Sequence, residues 1–245
     1  MGPLAEKYPM FTPYTYTANN PIRFIDPNGE DFIIHYGDNK QFVFNGKNYK
    51  EAPNDRFVQS FLSAYKSNVK NGGAENSLKI ATDSKYRIGV NERKDEGGSF
   101  SPAKKSISWN PNLAMETDQG VVLSPASIFE HEADHAKAYN DDKEGYNKRV
   151  GTLDAEYKNL EERRVVLGSE QRVALANGEI QQGQITRSFY GGSAMRYFET
   201  ISPTSTIPRF DFKRSLNEAV YYKILGGSNT VSPFRYPQLY YRIKK

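Results

Sequence analysis

The stretch SPASIFEHEADHAKAYN, residues 124–140, holds His131 and His135, two of only three histidines in the chain. Residues four apart on an α-helix lie one above the other on the same face. Both imidazoles can therefore turn a nitrogen toward one ion, as neutral donors of the kind zinc takes. Glu132 follows the first histidine directly and falls on the adjoining flank, where it can reach a water on the ion without ligating the ion itself. The pattern is H-E-x-x-H, and its chemistry is hydrolytic. Zinc lowers the pKa of a bound water to about 7, the glutamate takes the proton, and a polarised carbonyl is attacked. The plain alternative is a surface helix with two incidental histidines. Ile128, Phe129, Ala133 and Ala136 argue against it, because apolar and small flanks imply burial and buried His and Glu need partners. Asp134, inside the motif, is more polar than such helices usually carry. His35 lies far upstream in a strand pattern and reads as a satisfied or exposed histidine, not a ligand.

A catalytic zinc keeps three protein ligands and one open position. With no further histidine nearby, the third ligand is expected to be a carboxylate on a following helix. The run YKNLEERRVVLG offers Glu161 and Glu162. A charged helical face is the rival explanation, but Leu160, Val165, Val166 and Leu167 surround the pair with core-type residues. Carbonyl hydrolysis also needs a donor for the oxyanion that develops in the transition state. TRSFYGG supplies Arg187 and Tyr190 just before Gly191 and Gly192. R-x-x-Y is a common spacing in a chain with 17 tyrosines, so purely structural roles stay open for both. Upstream, SISWNP reads as a strand. Its Trp109 belongs either to an edge strand beside the site or to the core.

These residues need a scaffold, and the length of 245 residues allows one substantial domain with a small appendage. The absence of cysteine excludes disulfides, thiol catalysis and cysteine-bound zinc. A net charge of +4 invites a nucleic-acid reading, but 33 basic and 29 acidic residues are well interspersed and imply a mixed solvated surface. No apolar run approaches a membrane span, and no charged-then-apolar leader resembles a signal peptide. DFIIHYG and KQFVFNGKNYK alternate around GDN and NG turns, as a hairpin does. NDRFVQSFLSAYKSNV spaces Phe57, Phe61, Leu62 and Tyr65 as a helix, stopped by NGG. SLKIATDSKYRIGVNE and KKSISWN read as strands. Ser124 should cap the histidine helix, with Pro125 at its first position. A long helix is expected from about Leu153 to Ala176, broken near Gly168, and a short one near SLNEAVYYKIL. The fold class is α+β.

The first thirty residues differ in texture. PLAEKY, PYTY and NNPIRFIDPNG, in that order, closely resemble the end of the core of Rhs-repeat proteins of the Bacteroidetes type. In that family the segment closes a shell-forming core, and a variable toxin domain follows. The resemblance implies a division into residues 1–30, the end of an Rhs core, and 31–245, the toxin domain. The family has an Asp before the first Pro, implicated with the counterpart of Asp26 in self-cleavage; this chain has Gly2 there.

H-E-x-x-H followed by EERRVVLG resembles the Glu-zincin toxins, especially the M91-type effector peptidases and, more distantly, clostridial neurotoxin light chains. Those use an E-E-x-R-x-x-G-like run in which the second Glu binds zinc. The resemblance implies a zincin-like domain with zinc on His131, His135 and Glu162, with Glu161 as its supporting neighbour and the less favoured ligand. Arg164 would be the basic residue of the run, and one extra residue precedes Gly168. Glu132 would be the base, and Arg187 and Tyr190 the oxyanion stabilisers. The expectation is a zinc endopeptidase toxin delivered by a secretion system of the type VI kind, cutting a target-cell protein and held in check by a cognate immunity protein. Its other partners would be the Rhs shell and secretion machinery; no specific nucleic acid and no membrane span are expected. The alternatives are a basic nuclease tip of the same delivery system, or a non-catalytic module with a structural zinc.

Overall fold

The structure is a computed structural model that describes residues 31–190 and 195–209. The Rhs-like segment, Gly191 and Gly192, and the helix expected at SLNEAVYYKIL lie outside the described residues.

The chain enters the described region as a hairpin, as the alternating pattern requires. Strands β1 (Asp31–Tyr36) and β2 (Lys40–Phe44) pair antiparallel, around a turn in which Gly37 and Asn39 take positive φ. Helix α1 (Arg56–Asn71) follows, capped by the Asp55 side chain, which accepts from the Phe57 and Val58 amides. It ends at Gly72 in the left-handed conformation. The face predicted from its spacing is the buried one: Phe57, Phe61, Leu62 and Tyr65.

The next segment corrects the sequence expectation. Residues read as the start of a strand form helix α2 (Glu75–Thr82), and only Arg87–Glu92 (β3) is extended. Helix α2 has no capping side chain of its own. Its first free amides, of Asn76 and Ser77, instead donate to the buried carboxylate of Glu130, at 2.7 and 3.3 Å. A tertiary cap overrides a local pattern that alternates.

β4 (Gly98–Ser101) and β5 (Ser106–Trp109) complete a five-stranded sheet in the order β2-β1-β3-β5-β4. The three inner strands run parallel to one another and both edge strands antiparallel to their neighbours. Trp109 lies on inner strand β5, is fully buried, and donates its indole N–H to the Pro125 carbonyl at 2.8 Å. It belongs to the core, where Phe32, Phe61, Phe129 and Trp109 meet ring to ring.

Helix α3 (Pro125–Asp141) packs into this core. Its start is as expected: Ser124 accepts from the Ser127 amide and Pro125 opens the first turn. A small second sheet joins β6 (Leu113–Glu116), β7 (Val122–Leu123) and β10 (Arg196–Glu199) in the order β10-β6-β7.

Two further departures concern the segment after α3. A helix not anticipated, α4 (Lys143–Gly151), follows it directly. The helix expected from about Leu153 begins only at Leu160, because β8 (Leu153–Asp154) and β9 (Lys158–Asn159) form a tight hairpin. Asp154 holds that turn by accepting from the Glu156 and Tyr157 amides. Asn159 then caps α5 (Leu160–Val165) through the Glu162 amide. At Gly168 the helix widens instead of breaking: a π-helical turn over Val166–Glu170 leads straight into α6 (Gln171–Ala176). Among the described residues no helix is long and apolar enough to cross a membrane. The observed class is α+β with small sheets.

Candidate metal centre

The site is assembled from two helices. α3 supplies His131, Glu132 and His135, all buried. The α5 segment, started by the Asn159 cap, supplies Glu161 and Glu162 in its first turn. His131 Nε2 and His135 Nε2 stand 3.2 Å apart, and the Glu162 Oε2 atom lies 3.4 Å from each. That oxygen is buried and has no hydrogen-bond partner among the described residues.

The opposite edge of each imidazole faces a different carboxylate, His135 in a hydrogen bond and His131 in a close ion pair. His135 Nδ1 is 3.2 Å from Glu161 Oε1, and His131 Nδ1 is 2.8 Å from Glu170 Oε2. A neutral imidazole that donates its Nδ1–H carries its lone pair on Nε2. With each imidazole neutral and protonated on Nδ1, both Nε2 lone pairs would face the Glu162 oxygen, so the three atoms form a buried set of electron-pair donors once the Nε2 protons are displaced. Such a cluster is stable only around a positive charge. His131, His135 and Glu162 form a group that can hold a metal ion.

The titration of these groups reflects the same enclosure. Burial works against the charged form of both histidines, yet Glu162 and Glu170 raise His131 to about 8. Glu161 and Glu162 raise His135 to about 10. Burial would push the Glu162 carboxyl up, but the two imidazoles facing it hold it well below the usual carboxylate range. For Glu132 burial dominates and its pKa rises, with the histidines opposing.

The supporting carboxylates are themselves braced. Glu161 is almost fully buried and accepts from Arg149 at 2.5 Å and from Arg164 Nη2 at 2.6 Å. Asp134, the polar residue inside the motif, accepts from Arg164 at 2.8 Å and from the Ser169 hydroxyl at 2.5 Å. Glu170 receives a two-pronged ion pair from buried Arg187, whose Nε is 3.0 Å from Oε1 and whose Nη2 bonds Oε2. Arg187 is thus one residue removed from the donor cluster, and its guanidinium lies 5.0 Å from the centre of the Tyr190 ring. Burial raises the pKa of the Tyr190 phenol, and the charges of Glu162 and Glu132 raise it further.

The structure thus brings together His131, Glu132, His135, Glu161, Glu162, Arg187 and Tyr190. His35 lies apart, on β1 beside Gln41. Glu170, Arg149 and the bracing role of Arg164 escaped the sequence reading. Only Arg164 stood inside a recognisable motif, and LGSEQR around Glu170 resembles any exposed helical turn.

No family model, curated protein or solved structure matches the chain.

Proposed function

We propose that the chain is a zinc-dependent endopeptidase with a zincin-like domain, acting as the toxin tip of an Rhs-type effector. The observation that carries the reading is the convergence of His131 Nε2, His135 Nε2 and Glu162 Oε2 beside Glu132. Their separations of 3.2, 3.4 and 3.4 Å match the edge of about 3.3 Å expected for a tetrahedron with zinc–ligand bonds of about 2.0–2.1 Å. The donor set, two imidazoles and one carboxylate, suits zinc and leaves one position for water or substrate.

When bound, zinc supplies Lewis acidity and makes a water acidic enough to be deprotonated near neutral pH. The chain's own residues do the rest. Glu132 takes a proton at its carboxylate and returns it to the leaving amine, a role suited to a carboxyl whose pKa burial has raised. No hydrogen bond or ion pair engages that carboxylate among the described residues. Glu161 and Glu170 fix the orientation of the two imidazoles. Arg187 keeps a positive charge behind the cleft, and Tyr190 offers a phenol to the developing oxyanion. Edge strand β4 starts at Gly98, where a Cβ would come within 2.9 Å of Glu132 Cγ. An extended peptide added to that edge would bring its backbone past the base. Delivery into a target cell and restraint by an immunity protein rest on the resemblance of residues 1–30 and of the motif run.

The test is Glu132→Gln, which keeps size and removes the proton acceptor. The variant should fold, retain about one zinc by elemental analysis, and lose hydrolysis by a factor of about 10² or more. Expressed in a susceptible bacterium without an immunity partner, the native chain should arrest growth and the variant should not. A variant that holds zinc and stays fully toxic would defeat the peptidase reading. Changing His131 and His135 to Ala should abolish the zinc; stoichiometric zinc in that protein would remove the site.

A further inference from the structure

Tyr197 is not part of any motif in the sequence, yet β10 carries it to the proposed cleft. It pairs in register with Met115 of β6 and is 41% exposed. Its ring closes over Gly97, where a Cβ would come within 2.7 Å of Tyr197 Cε1. The neighbouring Gly98 is closed off in the same way by Glu132, at 2.9 Å from Cγ and 3.2 Å from Oε1. A Cβ at either glycine would also meet Ile128, so both positions face the same helix. The Gly97–Gly98 step therefore sets the tyrosine ring and the glutamate side by side, against consecutive residues whose Cα atoms are about 3.8 Å apart.

Besides burial, the charges of Arg187, Glu132, Glu96 and Arg93 act on the phenol at the end of that ring. Tyr197 is in turn among the groups that raise the Tyr190 phenol, after burial and the charges of Glu162 and Glu132. Neither hydroxyl makes a hydrogen bond among the described residues. Arg187, by contrast, has Nε and Nη2 committed to Glu170 and Nη1 3.1 Å from Met195 Sδ. The phenols of Tyr190 and Tyr197 are thus uncommitted neutral donors; the Tyr146 phenol, also without a hydrogen bond among the described residues, stands instead against the His135 ring, 6.4 Å between centres. Burial raises the pKa of Tyr197, so its hydroxyl keeps its proton at neutral pH.

We propose that Tyr197 is a second phenolic hydrogen-bond donor of the cleft, stabilising together with Tyr190 the oxyanion that forms at the scissile carbonyl. This rests on the peptidase reading. The O–H bond stays intact throughout; the phenol donates a hydrogen bond as charge builds on the carbonyl oxygen and releases it when the carbonyl reforms. Because the ring is held by Gly97, removing the oxygen leaves the packing in place.

The experiment uses the full chain, loaded with zinc, against a random-sequence peptide library with cleavage read by mass spectrometry, followed by kinetics on the best-cut peptide. Tyr197→Phe should lower kcat about 10²-fold with KM, zinc content and melting temperature close to native. Tyr190→Phe serves as the comparison, and the double variant should fall further than either. Native kcat in Tyr197→Phe would overturn the proposal, and so would a change in KM alone, which would make the ring a substrate-binding wall. Either result leaves the peptidase reading standing, provided Glu132→Gln remains inactive. A native protein as inert toward the library as its Glu132→Gln form would overturn both.

Discussion

Glu161 and Glu162 are neighbours of identical chemistry with different surroundings. Both oxygens of Glu161 are taken, by His135 Nδ1, Arg149 and Arg164. Glu162 keeps Oε2 unpartnered and aimed between the two Nε2 atoms. The proposed division of labour follows: Glu162 ligates and Glu161 positions. Glu161→Gln should weaken zinc binding about 10- to 100-fold, as loss of a ligand's orienting partner does, and Glu162→Gln should weaken it more. Competition against a chromophoric chelator measures both, and the reverse order would reassign the ligand. The histidine pair was legible because helical spacing alone puts its members on one face. Glu170 was not, because nothing local couples it to His131. Its role exists only once α3 and the segment after α5 are packed together.

At the scale of elements, the sequence was readable wherever a segment carries its own start and stop. Asp55 and Gly72 bound α1, Ser124 and Pro125 open α3, and turn residues close the β1–β2 hairpin. It misled where the boundary is supplied from elsewhere. Helix α2 starts on a carboxylate that lies far along the chain, in α3. Glu130→Ala should therefore destabilise the protein by roughly 1–3 kcal/mol, leaving two amides without their buried acceptor. Glu130→Gln, which keeps an acceptor oxygen, should cost less. Thermal unfolding gives the stability, and amide exchange at Asn76 and Ser77 should quicken in the Ala variant. Unaltered exchange there would mean that α2 holds without this cap.

For the molecule as a whole, the near balance of charge hides carboxyls that titrate far from their usual range. Glu179 is the case best separated from the proposed metal ligands. Its Oε1 accepts from the Ser124 amide at 3.1 Å and its Oε2 is buried without a partner among the described residues. Burial raises its pKa to about 7. The folded chain then keeps a proton between about pH 4.5 and 7 that the unfolded chain releases. Its contribution to stability is fully present below the unfolded value and is lost as pH rises through about 7. Glu179→Gln cannot lose that proton. Native and variant should be similarly stable near pH 5, with the variant ahead at pH 8 by up to ~3 kcal/mol. Urea unfolding across that range measures the difference; a constant gap would show that Glu179 does not change charge there.

The widened turn at Val166–Glu170 also has a consequence in helical phase. Each residue of a regular α-helix advances the side-chain direction by about 100°. Eight residues on from Glu162, an unbroken helix would turn Glu170 about 80° away from the Glu162 direction. A π turn absorbs one surplus residue, so Glu170 stands where a seventh residue would, about 20° from that direction. A single inserted codon, harmless to the length of a surface loop, would in this helix decide whether a carboxylate faces His131 or the solvent.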